Sequence, residues 1–381
     1  MNVRETLGRY FKGDGVIWAV ILILSILSVL VVYSSTGTLA YRHEERSLSY
    51  FVLKHAGLLL LGGVIIFVTH RIPYKIYSRL SLLLLVISGI MLLITLVMGV
   101  SLNEASRWIK IPGLGLTIQT SDFAKLALIM YIARVLSLNQ DDISQFKFVF
   151  WYLLVPIFAI CILIMPANLS TALILMVTSM MLLFVGRVPI KYLFLVGGGS
   201  VLILALVIGG VVASGDQMRV GTWQNRIENY VTGEGGDNYQ SEQSKIAIAS
   251  GGLLGKGPGN STQRNFLPHP YSDFIFAIIV EEYGFLGGLV IVALYMFLLY
   301  RAGLVVRKSK RAFGAFLAMG LTLSLSFQAL INMGVAVGIL PVTGQPLPLV
   351  SMGGTSLLFT GVALGIILSV SRSVELEKKN A

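Results

Sequence analysis

A chain of 381 residues that is 55% hydrophobic and only 12% charged, against roughly 25% charged in an ordinary soluble domain, cannot hide its apolar surface in one water-exposed globule. Its net charge of +11 would point to nucleic acid in a soluble protein. Here the basic residues lie in short loops beside apolar runs, so membrane lipid is the expected counter-charge and nucleic acid is not a partner.

Apolar runs of about 18 residues mark membrane-spanning helices. Ten are expected, near residues 16–36, 50–69, 78–99, 122–138, 147–166, 170–187, 192–213, 273–300, 312–336 and 354–372. The fold class is therefore an all-α integral membrane protein, a single polytopic domain over 1–381. The opening MNVRETLGRYFKGDG lacks a small-residue cleavage site and leads into a full span, so the first helix is expected to be its own signal. Ten spans put both termini on one side. Placing them in the cytoplasm gives inner segments 18 of the 29 Lys and Arg, against four in the short outer loops, as the positive-inside rule requires. The connections 100–121 and 214–272 then face outward, the second between spans seven and eight and too long for a mere connector.

In chain order, the first intramembrane charges are Asp122 and Lys125 in QTSDFAKL, three residues apart and so on one helix face. Two readings stand: a helix-start carboxylate paired with its own lysine, or a lysine aimed into a polar cavity to hold an anion. Asp141 and Asp142 read as solvated loop. The only cysteine, Cys161, lies in an apolar run, a small hydrophobe that excludes an internal disulfide and a cysteine-based zinc site. The short gap near Pro166 demands a tight helical hairpin. The four histidines have no metal-ligand spacing.

The long loop carries RVGTWQNRIENY, which brings Arg219, Trp223 and Arg226 close in sequence, and SKIAIASGGLLGKGPGN. The latter fails as a phosphate loop, because three residues rather than four separate Gly251 from Gly255 and Gly257 follows Lys256 where Ser or Thr is needed. Its glycines are expected to let a short amphipathic or re-entrant segment turn sharply against the membrane. Asp273 opens the eighth span after Pro268 and Pro270, either as a helix cap or as a functional group. Glu281 and Glu282 lie about 12 Å further along a helix axis, candidates for an inner cavity or for pairing with a base such as Lys54. Near the C-terminus, NMGVAVGILPVTGQPLPLVSMGGTSLL interrupts apolar sequence with prolines. It is expected to dip back and line the outward site, since irregular backbone at membrane depth survives only under protein or beside a wet cavity.

Four of these segments together resemble the SEDS family (shape, elongation, division and sporulation) from the first span to the last. SRWIKI…IQTSDFAKLAL is similar to the family's RRWI…QPSEFAKLAL, and YQSEQSKIAIASGGLLGKGPGNSTQ to its YQ…QSLIAIGSGGLFGKGLGNGTQ. SDFIFAIIVEEYGFLGG and NMGVAVGILPVTGQPLPLVSMGGTSLL match its TDFIFAVIGEELGFIG and NIG…GLLP…G.PLPFVSYGGSSLL. VTGQPLPLVSMGG looks more like the division branch, FtsW, than RodA. Departures are LPHPYSD, where His269 and Tyr271 replace Glu and His, PANLSTA, with Asn168 for Asp, and Asp122 for Glu.

The resemblance implies a glycosyltransferase that polymerises lipid II with a class B penicillin-binding protein and other division or elongation proteins, at the outer face of the bacterial cytoplasmic membrane. It implies Asp273 as base. Arg107, Lys125, Arg226 and Lys256 are the candidate diphosphate ligands, and Trp108 is a stacking surface for sugar or prenyl chain. A divalent cation, Mg or Mn, would be a plausible bridge to the diphosphate. The rival readings are a lipid II flippase and a non-catalytic scaffold of the division complex.

Overall fold

The computed structural model describes residues 11–37, 48–98, 100–102, 105–110, 117–199 and 236–379. Helix α1 (Gly15–Ser35) starts where Asp14 Oδ1 accepts from the Val16 and Ile17 amides. Helices α2 (Leu48–Arg71) and α3 (Tyr74–Met98) flank Pro73, which cannot donate to a helix ladder. Three short antiparallel strands follow, β1 (Val100–Leu102), β2 (Ala105–Lys110) and β3 (Thr117–Gln119), in the order β1-β2-β3. This small sheet amends the all-helical expectation within the connection 100–121.

Helix α4 (Thr120–Leu138) leaves the sheet directly, and α5 (Phe146–Ile164) widens to a π-helical turn over Phe150–Leu154. Pro156 lies just beyond that turn, where the ladder must absorb a missing N–H. The hairpin to α6 (Leu169–Val185) is tight as expected, and α7 (Ile190–Gly199) ends the first described half. The second half holds α8 (Gly236–Gly251), α9 (Ile275–Lys308), α10 (Ala312–Ala336) and α11 (Thr355–Lys379).

Among the described residues, seven helices are long and apolar enough to cross a membrane: α1, α2, α3, α5, α9, α10 and α11. α4 has comparable length but carries Asp122, Lys125 and Arg134. Most expected spans fall on helices within a few residues. The eighth runs on to Lys308, and the seventh is described only as far as residue 199.

α4 lies at the centre of the packing, against α3, α6, α10 and α11. Almost its whole surface is buried, including Asp122 and Lys125. That explains why a charged helix sits among apolar ones: it faces protein on all sides and not lipid. The lipid-type surface is on α2 and α3, where Leu53, Leu60 and Val97 are largely exposed.

Candidate active site

The proline-rich segment 337–354 between α10 and α11 is irregular, yet Leu347 and Val350 in it are fully buried. Buried irregular backbone must find hydrogen-bond partners, and helix side chains supply them. Ser28 Oγ donates to Val350 O at 2.7 Å and the Tyr295 hydroxyl donates to Pro348 O. Gln328 Nε2 donates to Pro346 O at 2.9 Å, and Asn332 Nδ2 to Gln345 O at 2.8 Å. Gln328 and Asn332 stand one turn apart on α10, so they hold two consecutive carbonyls.

The same segment is fastened to the turn carrying Asp273. Ser351 Oγ donates to Ser272 O at 2.6 Å, and the Met352 amide to Tyr271 O at 2.9 Å. Asn332 Nδ2 also donates to Asp273 O at 2.8 Å. Asp273 is partly exposed, its Oδ1 accepts from Ser272 Oγ at 2.8 Å, and its Oδ2 would stand 3.6 Å from a Cβ at Gly344. It is not the cap of α9: that position is Phe274, which makes no side-chain cap bond. The capping reading of Asp273 is thereby replaced.

Lys125 reaches into a small pocket lined by α4, α10 and α11, with Asp122, Gln328, Ser356 and Thr360 among its walls. Its ammonium lies 2.8 Å from Asp122 Oδ1 and donates to Gln328 Oε1 at 3.2 Å. Asp122 Oδ2 is buried with no hydrogen-bond partner. The pairing reading holds, the lysine being bound to the carboxylate of its own helix, and the same ammonium faces a polar pocket. Through Gln328, the cavity and the Asp273 turn share one scaffold.

Glu281 and Glu282 are fully buried, but neither borders this cavity and Lys54 is not their partner. α9 breaks just beyond them at Gly284 (φ 71°, ψ −173°). The broken turn exchanges its bonds with the glycine-rich segment after α8. The Lys256 and Gly257 amides donate to Glu281 O and Glu282 O, each at 2.9 Å, while the Phe285 and Leu286 amides donate to Gly252 O and Leu253 O at 2.9 and 3.3 Å. Only glycine fits there, since a Cβ at Gly284 would meet Leu253 O at 2.3 Å and one at Gly255 would meet Glu282 O at 2.2 Å. The glycines thus serve close backbone approach to a broken helix, and not simply a sharp turn.

The glutamate side chains grip the same segment. Glu281 Oε1 lies 2.6 Å from Lys256 Nζ, and Glu281 Oε2 accepts from Ser261 Oγ at 2.5 Å. The Thr262 and Gln263 amides also donate to this carboxylate, at 3.1 and 3.3 Å. Glu282 accepts from the Ser34 hydroxyl of α1 and from the Ser261 amide at 3.4 Å. Lys256, expected to bind diphosphate, is therefore engaged with Glu281.

Trp108 is half-buried on β2, paired with Val100 and Gln119. Arg107 precedes it on the strand. Arg226, with Arg219 and Trp223, lies outside the described residues. Asn168 caps α6 through Oδ1, which accepts from the Thr171 amide at 3.2 Å, a role that aspartate or asparagine fills equally. The residues missed from sequence that fasten this region together are Gln328, Asn332, Gln345 and Ser351. Their signal was available in that each is a polar residue at an otherwise apolar stretch.

Among the described residues no group of three or more His, Cys, Asp or Glu could hold a metal ion. Asp122 Oδ2 is a buried carboxylate oxygen with no hydrogen-bond partner, and magnesium is commonly held by one or two carboxylates together with substrate phosphates.

Residues 14–376 match the family model FTSW_RODA_SPOVE, described as "Cell cycle protein". The chain is 33% identical over 375 residues to the probable peptidoglycan glycosyltransferase FtsW of Trichlorobacter lovleyi, covering 97% of this chain and 95% of that one. It is 33% identical over 358 residues to the stage V sporulation protein E of Bacillus subtilis, covering 92% and 94%. Among solved structures, a peptidoglycan synthase complex described as coordinating polymerization and crosslinking matches with a TM-score of 0.76 at 24% identity, over 95% of this chain and 98% of that one. The rod shape determining protein RodA of Thermus thermophilus matches with a TM-score of 0.69 at 23% identity, over 96% and 98%.

Proposed function

The chain belongs to the FtsW, RodA and SpoVE family of cell cycle proteins, and on that premise we propose that it is a peptidoglycan glycosyltransferase of cell division that polymerises lipid II. It is a multi-pass membrane protein. In this reading it spans the bacterial cytoplasmic membrane with both termini inside and its active site outside, and it works with a class B penicillin-binding protein.

The chemistry joins one sugar's 4-hydroxyl to the anomeric carbon of another. As the new C–O bond forms, the hydroxyl proton passes to the Asp273 carboxylate, and the bond from the anomeric carbon to the diphosphate oxygen breaks with its electron pair leaving on diphosphate. Asp273 is the general base, held in place by its backbone. Lys125 stabilises the leaving charge, as preorganised cations do in a water-poor site. Arg107 and Arg226 are further candidates for the diphosphate, and Trp108 for sugar or prenyl chain. A bound magnesium or manganese ion, held by Asp273 or Asp122, would supply additional neutralisation of diphosphate charge.

The observation that carries this reading is the shared scaffold: α10 holds the Asp273 turn through Asn332 and the Lys125 ammonium through Gln328. The test is purified protein with its penicillin-binding partner, given labelled lipid II. Glycan polymer from wild type and none from Asp273→Asn is expected. Equal polymer from both overturns the role of Asp273, and lipid flipping in liposomes without polymer overturns the glycosyltransferase reading.

A further inference from the structure

We propose that Glu281 and its partner Lys256 are positioning residues that set the place of Asp273 by closing a hydrogen-bonded ring around it; this rests on the glycosyltransferase reading above. The ring runs from Thr262 through the 3₁₀ turn Gln263–Asn265, past Pro268 and Pro270 to Asp273, and along the first turns of α9 to Glu281, whose carboxylate returns to Thr262. Asp273 lies near its midpoint.

Two features separate this arrangement from ordinary packing. First, the backbone seam already fixes residues 252–257 to 281–286, so the side chain is not needed to hold that part. The carboxylate instead grips residues 261–263, which make no backbone-to-backbone hydrogen bond to α9, through Ser261 Oγ, the Thr262 amide and hydroxyl, and the Gln263 amide.

Secondly, the adjacent glutamates point apart on the helix and so clasp Ser261 from two sides: Glu281 takes its hydroxyl and Glu282 its amide. Ser261 Oγ in turn accepts from the Arg264 amide at 3.2 Å, and Arg264 Nη1 donates to Ser34 O at 2.9 Å. The loop before Asp273 is thus tied to α9 and α1 at its far end while Ser351 and Asn332 tie the near end. Lys256 supplies the positive charge that lets a buried carboxylate remain ionised and so accept this many bonds. A base displaced by about 1 Å loses on the order of 100-fold in rate, so slack in the ring is read out in catalysis.

The test compares Glu281→Gln, Lys256→Met, Lys256→Arg and Ser261→Ala in the full chain with its partner, by steady-state polymerisation of lipid II and by hydrogen exchange of residues 261–272. A positioning role predicts that Glu281→Gln and Lys256→Met lower kcat per folded molecule by about 10- to 100-fold with KM within about twofold, that Lys256→Arg restores most of it, and that exchange over 261–272 rises. Wild-type kcat in both variants, or a raised KM with unchanged kcat in Lys256→Met, overturns the proposal; the second outcome would make Lys256 a direct diphosphate ligand.

If Lys256→Met does not give a monodisperse protein, Ser261→Ala removes the hydroxyl bond to Glu281 together with the one from the Arg264 amide and carries the same prediction in smaller degree. Should wild type itself make no glycan, the enzymatic reading fails. The ring is then judged by exchange alone, and unchanged exchange in Glu281→Gln sinks it.

Discussion

Asn332 donates both protons of its side-chain amide to backbone carbonyls, one at Asp273 and one at Gln345, each at 2.8 Å. One side chain on α10 therefore fixes the distance between the turn that bears the proposed base and the irregular segment beside it. Replacing it by leucine keeps the volume but removes both hydrogen bonds, at roughly 1–3 kcal/mol each. Asn332→Leu is expected to lower the thermal midpoint in detergent and to lower kcat by more than the loss of folded protein explains. Polymer yield per folded molecule at a temperature well below the transition checks this.

Lys125 and Asp122 form a buried pair, both less than a tenth exposed. Removing the cation alone strands a carboxylate, which costs about 3–5 kcal/mol. Lys125→Met is expected to destabilise the protein and abolish polymerisation. The double variant Asp122→Asn with Lys125→Met is expected to regain most of the stability but none of the activity. Paired melting and activity measurements separate the two roles of the lysine.

The seam at the α9 break predicts a sharp contrast within one helix. Gly284→Ala places a Cβ 2.3 Å from Leu253 O in a left-handed backbone, whereas a Cβ at Gly303 meets nothing within 4 Å. Gly284→Ala is expected to prevent accumulation of folded protein. Gly303→Ala is expected to be neutral or to stabilise by up to about 1 kcal/mol, from helix propensity. Size-exclusion profiles and thermal midpoints of the two variants decide it.

Tyr295 is buried on α9 and donates its hydroxyl to Pro348 O. Tyr295→Phe leaves that carbonyl unpaired without opening a cavity, so a loss of about 1–3 kcal/mol is expected. Because its hydroxyl bonds Pro348 O and the residue does not line the Lys125 pocket, kcat at low temperature is expected to stay within about twofold of wild type. A thermal shift measured beside the rate tests both statements.

Much of the architecture was legible in sequence because hydrocarbon leaves few choices: an apolar run of span length becomes a helix whose ends fall at charges and prolines. The expected ninth span, 312–336, coincides with α10. The small sheet was not legible, since strands of three to six residues carry too little periodicity to separate them from loop.

The surroundings of Glu281 and Glu282 were not legible for a different reason. The stretch from Ile275 to Glu282 is helical as counted, but α9 breaks just beyond it at Gly284, and the glycine-rich segment after α8 packs against the break. The two carboxylates therefore meet polar loop groups at Ser261, Thr262 and Gln263. A glycine in the run EEYGFLGG was visible, but its φ was not.

The pairing of residues 252 and 253 with 285 and 286, and of 256 and 257 with 281 and 282, also limits how this chain can change in length. A one-residue insertion or deletion between Leu253 and Lys256, or between Glu282 and Phe285, would put every pair out of step, and no side-chain change elsewhere could restore the match. Variation in size must fall outside these short intervals. An epitope or fluorescent tag meant to leave the enzyme intact belongs at the chain ends.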